Sequence, residues 1–348
     1  MEQKSQFLVR VSCMTYNQEP YITDALNGFV MQQTSLPFVC TIIDDASTDR
    51  NAEVIRNYVS ENFDLQDTSI AYEKDMDYGH VTFARHKTNQ NCYFAVIYLK
   101  ENHYSQNKPK APYIKEWADN VKYIALCEGD DYWTDPLKLQ KQVDILESDM
   151  SLMAVVTNSS VVDSMGNQIR PKENNVVPNN CEGRYDLRSF IYKNHRYFTA
   201  TVCYRATHVD EVKKMQRQMY NPYFGDWSLW IILHIFGDFY YLDQVTSAYR
   251  INPTSVTHTY DRIGRSKENW KINESLKLII PDEYDDILKS LDDKTWMWID
   301  LGYAYRHEHK YLRMWWCFFV AFVKNPKETI GDYKRRKQSK RQNKGNTI

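Results

Sequence analysis

Tyr123-Ile124-Ala125-Leu126-Cys127-Glu128-Gly129-Asp130-Asp131-Tyr132-Trp133-Thr134-Asp135-Pro136 joins a short apolar run to a cluster of acids. The run reads as a buried strand. Acids crowded at its end repel one another, and a bound cation is the usual reason for such crowding. Oxygen-only ligands suit hard ions such as Mg²⁺ or Mn²⁺, which also bridge a protein to a diphosphate. The alternative is an acidic turn in which Asp131 or Asp135 caps a helix starting near Pro136.

Working outward, Phe7 to Met14 and Phe38 to Ile43 are further apolar strands, ending in Thr15-Tyr16-Asn17 and in Asp44-Asp45-Ala46-Ser47-Thr48-Asp49. Helical spacing follows each, over Glu19 to Gln32 and Asn51 to Ser60. Strand, helix, strand, helix implies parallel strands joined by crossovers. Asp64 to Asn91 has a weaker pattern and reads as a short helix with irregular connections. Phe94 to Leu99 is again a strand, with Asn102 beyond its end. In an open α/β sheet the carboxyl ends of the strands form the ligand crevice, which gathers Asn17, Asp44, Asp45, Asn102 and the acidic cluster. After Pro136 come an amphipathic helix and a strand from Leu152 to Thr157. Asp226 opens a helix that runs to Phe236, where N-capping is its simplest role. Phe239 to Leu242 with Val245 to Arg250 read as an edge hairpin.

The whole chain sets limits on these readings. At 348 residues and 43% hydrophobic it can bury a full core, and its net charge of -1 gives no global attraction to nucleic acid. Seven scattered cysteines without a Cys-x-x-Cys pair favour reduced thiols and a cytoplasmic location. The first residues lack a signal-peptide pattern, and no run reaches the roughly twenty apolar residues of a membrane span. Neither a Walker sequence nor Gly-x-Gly-x-x-Gly is present, and there is no Gly-x-Ser-x-Gly elbow.

Val11-Ser12-Cys13-Met14-Thr15-Tyr16-Asn17, Ile42-Ile43-Asp44-Asp45-Ala46-Ser47-Thr48-Asp49 and Glu128-Gly129-Asp130-Asp131 occur in the order found in glycosyltransferase family 2. Over roughly residues 7 to 255 the chain resembles that family, and it looks closest to bacterial members that build capsule or lipopolysaccharide sugars. The resemblance implies a GT-A fold, a mostly parallel Rossmann-like α/β sheet flanked by helices, with a nucleotide-sugar donor and inversion at the anomeric carbon. It places Thr15, Tyr16, Asn17 and Glu19 at the nucleoside, Asp44 and Asp45 at base or ribose, and Asn102 at the same pocket. Glu128, Asp130 and Asp131 then stand at the Mn²⁺ or Mg²⁺ site, with Glu128 where the family's motif has Asp. Asp226 matches the family's general base, with Gly225 replacing a Glu. Arg250, with Tyr249 and His258, matches a loop that closes over the diphosphate, and Asn252 stands where relatives often have His.

The resemblance implies a UDP-sugar as donor and a glycan or lipid-linked acceptor. Domains are expected at 1–260 (catalytic), 261–330 (helical, with a hairpin over Trp296 to Tyr305 and Leu312 to Val323) and 331–348 (a disordered basic tail). The aromatic helix and the basic residues after it fit either a membrane surface or a soluble hairpin. Two rival functions are a sugar nucleotidyltransferase and a non-catalytic nucleotide-sugar-binding module. The first is expected to carry a Gly-rich basic loop after the first strand, which Met14 to Glu19 is not. The second has no use for a metal cluster.

Overall fold

A computed structural model describes residues 7–169, 181–192, 197–219, 225–252 and 261–345. They fall into two compact units, Met1–Val209 with Phe236–Pro253, and Asp210–Ile235 with Thr254–Ile348. The division differs from the expected boundary near residue 260, because 210–235 groups with the C-terminal residues.

The first unit is a twelve-stranded mixed sheet with helices. In chain order its elements are β1 (Val9–Thr15), α1 (Ile22–Val30), β2 (Phe38–Asp44), α2 (Asn51–Asn62), β3 (Phe63–Asp64), β4 (Tyr72–Met76), β5 (Gly79–His86) and β6 (Cys92–Leu99). There follow α3 (Lys115–Ala118), β7 (Tyr123–Leu126), β8 (Tyr132–Trp133), α4 (Lys138–Ser148), β9 (Leu152–Val162), β10 (Gly183–Tyr185), α5 (Leu187–Tyr192), β11 (Val202–Arg205) and β12 (Asp238–Arg250). Strands β7, β1, β2 and β6 are neighbours in that order and all parallel. All seven residues of β2 are buried, as expected for a strand covered on both faces. The pleat divides them: Phe38, Cys40 and Ile42 join the cluster containing α1 and α4 residues, while Val39 and Ile43 join the opposite cluster with Phe83, Ile97 and Trp117.

Two stretches differ from the sequence reading. Residues 72–86, expected as a helix and loops, form the β4–β5 hairpin antiparallel to β6. The segment Phe239 to Arg250, expected as an edge hairpin, is the single strand β12, parallel to β9, with register shifts around Leu242 and Val245. Those shifts absorb the polar pair Asp243-Gln244, which reads as a turn when only the sequence is considered.

Lys138 carries a buried charge in this unit. Its Nζ donates to Gln142 Oε1 at 2.6 Å and lies 4.5 Å from the Trp133 ring centroid. Burial pushes its ammonium down to about 8 from its ordinary 10.5. Between those values the unfolded chain holds a proton that the folded chain has released, so this group makes stability rise with pH. Above 10.5 both states are neutral at this site and the contribution is level. We therefore expect the stability difference between Lys138→Met and the wild type to shift in favour of the wild type by on the order of 2 kcal/mol from pH 8 to 10.5. Urea melts across that range test this, and a pH-independent difference contradicts it.

The described residues of the second unit are helical: α6 (Val209–Gln218, entering from the first unit), α7 (Gly225–Phe236), α8 (Arg262–Leu276), α9 (Asp285–Asp293), α10 (Thr295–His307), α11 (Tyr311–Lys324) and α12 (Pro326–Gly345). The α10–α11 hairpin falls where the sequence places it. Ile263, Leu301, Ala304, Tyr305, Met314 and Cys317 form its core. Residues 326–345, expected in part as a disordered tail, form α12.

Candidate active site

Because β7, β1, β2 and β6 are adjacent and parallel, their carboxyl ends meet at one edge of the sheet. The three motifs sit there. Gly129 N donates to Met14 O at 3.0 Å, tying the β7 tip to β1, and Asp45 N donates to Thr15 O at 3.0 Å, tying β2 to β1. Gly129 is required at this approach: a Cβ there would stand 2.9 Å from both Thr15 Cβ and Ile22 Cδ1.

The β1 and β2 tips form one hydrogen-bonded unit. Thr15 Oγ1 donates to Asn51 Oδ1 (3.2 Å), and Asn51 Nδ2 donates to Asp44 Oδ1 (3.0 Å), which Ser47 Oγ also approaches. Burial raises the Asp44 carboxyl above its ordinary range, against the pull of the Ser47 and Asn51 bonds. Asn17 N donates to Ser47 Oγ at 2.9 Å, and Asn17 Oδ1 accepts from Thr48 N at 2.7 Å. Asn17 (φ 53) and Ala46 (φ 59) are both left-handed, a conformation Asn tolerates better than Ala. Tyr16 is exposed beside them. Glu19 pairs with Arg50, which holds its carboxyl below the usual range.

Asp45 serves a different loop. Its carboxylate accepts from His103 N (2.8 Å) and Tyr104 N (3.0 Å), and Lys110 Nζ lies 3.0 Å away. Asn102 Oδ1 accepts from Ser105 N at 2.7 Å, shaping the same turn. Both acids of the Asp44–Asp45 pair thus engage protein donors: Asp44 fixes the β1–β2 tips and Asp45 fixes the loop after β6. Asn51, read from the sequence only as the start of a helix, and Lys110, not singled out there, are the residues that complete these arrangements. Asn51 had a faint signal in its place at the start of α2, directly after the acidic tip. Lys110 had none, since loop pairings leave no periodicity.

The acidic cluster divides by environment. Glu128 is exposed, Asp130 is half-buried and Asp131 is buried. Asp131 Oδ1 accepts from Arg250 N at 2.8 Å. The Arg250 side chain donates from Nε to Asp130 O (2.9 Å), from Nη1 to Ser164 O (3.0 Å) and from Nη2 to Asp24 Oδ2 (2.6 Å), between the rings of Tyr21 and Tyr132. Burial pushes the Asp130 and Asp131 carboxyls up, with Asp130 and Glu128 adding to the rise at Asp131 and Arg250 opposing it at both. The expected capping of the following helix by Asp131 or Asp135 is not found: α4 has Leu137 at its N-cap without a side-chain bond, and Asp135 Oδ1 accepts from Leu137 N at 2.8 Å just ahead of it.

Among the described residues no three His, Cys, Asp or Glu side chains converge as a ligand set. The donor set does fit a hard cation that takes one or two carboxylates and completes its shell with phosphate oxygens and water. Asp130 supplies a carboxylate destabilised by burial, and Gln18 Oε1, in contact range of a Cβ on the adjoining Gly129, is buried without a partner.

In the second unit Asp226 lies in the first turn of α7, where its Oδ1 accepts from Trp227 N at 2.8 Å. Its side chain reaches solvent, but the protein around it displaces enough water to push its carboxyl up. Trp230 is fully buried and serves as core. His258 lies outside the described residues.

Comparison with known proteins agrees with this architecture. Residues 12–106 match the family model described as Glycosyl transferase family 2. The structure of S. aureus TarS 1-349 in complex with UDP-GlcNAc superposes with a TM-score of 0.55 at 14% identity, covering 94% of this chain and 91% of that one. TarS 1-349 in complex with UDP superposes at 0.51 and 16% identity, covering 82% and 71%. The uncharacterized protein Rv1520 of Mycobacterium tuberculosis is 35% identical over 134 residues, or 38% of this chain. The match spans 30% of that relative's length. The chain shares the mixed α/β fold of TarS 1-349, and its residues 12–106 match the Glycosyl transferase family 2 model.

Proposed function

We propose that the chain is an inverting glycosyltransferase that moves a hexose from a nucleoside-diphosphate donor, a UDP-sugar, to a hydroxyl of a glycan or lipid-linked acceptor in bacterial surface polysaccharide synthesis. The observation that carries this reading is the meeting of the Thr15–Asn17, Asp44–Asp45 and Glu128–Asp131 tips on adjacent parallel strands. Exposed Tyr16 offers a face for the nucleoside beside the Asn17–Ser47 brace. Asp130 is the residue assigned to hold Mn²⁺ or Mg²⁺, with Glu128 assisting and Asp131 held by the Arg250 backbone. Bound there, the cation neutralises the diphosphate as charge builds on the leaving group. Asp226 is assigned to take the proton from the acceptor hydroxyl as that oxygen attacks the anomeric carbon and the bond to the diphosphate breaks. Burial raises its carboxyl, which makes it a better proton acceptor than an ordinary carboxylate.

The test is a donor panel. Purified protein with Mn²⁺ and a mixed acceptor preparation is assayed for UDP, GDP and dTDP release from the corresponding nucleotide sugars. Release of UDP with an inverted anomeric centre in the product supports the assignment. Release of none, together with nucleotide-sugar formation from a sugar 1-phosphate and a nucleoside triphosphate, replaces it with nucleotidyl transfer.

A further inference from the structure

Helix α11 is apolar on two opposite sides. At about 100° per residue, Met314, Cys317 and Ala321 lie on one side and are buried in the second unit's core. Tyr311, Leu312, Trp315, Trp316, Phe319, Phe322 and Val323 lie on the other. That second side is open: Leu312 is 90% exposed, Trp315 67%, Trp316 62% and Phe319 57%. A continuous aromatic stripe of this kind is far from the scattered exposed apolar residues of an ordinary surface. No acid occurs in α11.

The charge beside this stripe identifies what covers it. Asn325 accepts from Glu328 N at 3.0 Å and donates to Asp293 Oδ2 at 3.0 Å, so α12 starts from a fixed cap directly after α11. Arg336, paired with Asp332 one turn back on the same helix at 2.9 Å, lies 4.1 Å from the Tyr303 ring centroid and so ties α12 to α10. On α12 the helical spacing puts Lys327, Ile330, Tyr333, Lys334 and Lys337 on one exposed side. Glu328 and Asp332 fall on the other. Lysines interleaved with exposed Ile330 and Tyr333, next to a Trp-rich apolar stripe, combine the two signals that a stable interfacial contact requires. A second copy of the chain is a poorer occupant, because the open side of α12 carries Lys327, Lys334 and Lys337 and no acid to answer them.

We propose that the open faces of α11 and α12 dock the protein on an anionic lipid surface, with the aromatic stripe in the headgroup layer and the α12 lysines on acidic headgroups. The proposal is independent of the sugar chemistry. It requires that the full chain float with vesicles of phosphatidylcholine and phosphatidylglycerol at low salt, and much less with phosphatidylcholine alone.

Trp315→Gln with Phe319→Gln should remove flotation while leaving the melting temperature unchanged, since both side chains are largely in solvent. Lys334→Gln and Lys337→Gln should each weaken binding to the anionic vesicles about fivefold, the factor for about 1 kcal/mol per lysine, and molar salt should imitate their loss. Flotation that is absent in the wild type, or unaffected by the aromatic pair of substitutions, overturns the proposal. So does a wild-type dimer in sedimentation that these substitutions dissociate without any lipid binding, which assigns the face to a second copy.

Discussion

Asp226→Asn is expected to lower the transfer rate by about 10³-fold, within the 10²–10⁴ that a positioned general base contributes, and to leave donor KM within about twofold. The amide keeps the short side chain at the start of α7 and an oxygen able to accept from Trp227 N, so the helix is retained while the proton acceptor is lost. The pH profile gives a second readout. A base works only when ionised, and burial raises the Asp226 carboxyl, so wild-type turnover should fall on acidification through a value above the ordinary carboxylate range. The residual activity of the Asn variant should lack that acidic limb. Preserved turnover, or an acidic limb that persists in the variant, removes Asp226 from the base role.

Arg250→Ala is expected to cost about 1–3 kcal/mol of stability, the range for leaving buried acceptors without their donor, since the Asp24 carboxylate is half in solvent and its ion pair adds little. Arg250 is 4% exposed and its side chain joins the β7 tip, the turn at Ser164 and α1 through Asp24. Its loss also removes the positive charge that opposes the rise at Asp130 and Asp131. Lysine, a single donor head without the planar fork, should recover less than half of the loss. Chemical denaturation measures both variants, and a change under about 1 kcal/mol for alanine would show that the fold does not depend on this link. This argues for Arg250 first as a brace of the acidic tip. The same network explains why the sequence, which marks Arg250 as a phosphate ligand, misses its structural role: Asp24, Asp130, Ser164 and Arg250 are distant in the chain.

The central strands were legible because β2, β6 and β7 are largely buried on both faces and appear as mainly apolar runs ending in polar tips, while β1, interrupted by Arg10 and Ser12, still ends in the polar tip Thr15-Tyr16-Asn17. The hairpin of β4 and β5 was not, since Tyr72-Glu73-Lys74-Asp75-Met76 is mostly exposed and carries no apolar alternation. The long strand β12 was divided in reading because Asp243-Gln244 imitates a turn where the strand shifts register. Composition misled at α12, where a highly charged segment is ordered by a cap at Asn325 and a stacked Arg336, contacts that no local pattern announces. At the site, position was readable and function within the pair was not: which of Asp44 and Asp45 faces which loop depends on Asn51, His103, Tyr104 and Lys110, which fold together only in three dimensions.

The division of the acidic cluster, with Asp130 on the cation and Asp131 on the backbone, is the claim on which the proposed chemistry rests. Calorimetric titration of UDP into the wild type and Asp130→Ala, each with and without Mn²⁺, measures it directly. The account predicts that Mn²⁺ tightens UDP binding by about tenfold or more in the wild type, equivalent to about 1.4 kcal/mol, and has no effect in the variant, while metal-free binding is the same in both. Equal UDP affinity with and without Mn²⁺ in the wild type, or an equal loss in the variant whether or not metal is present, would contradict it.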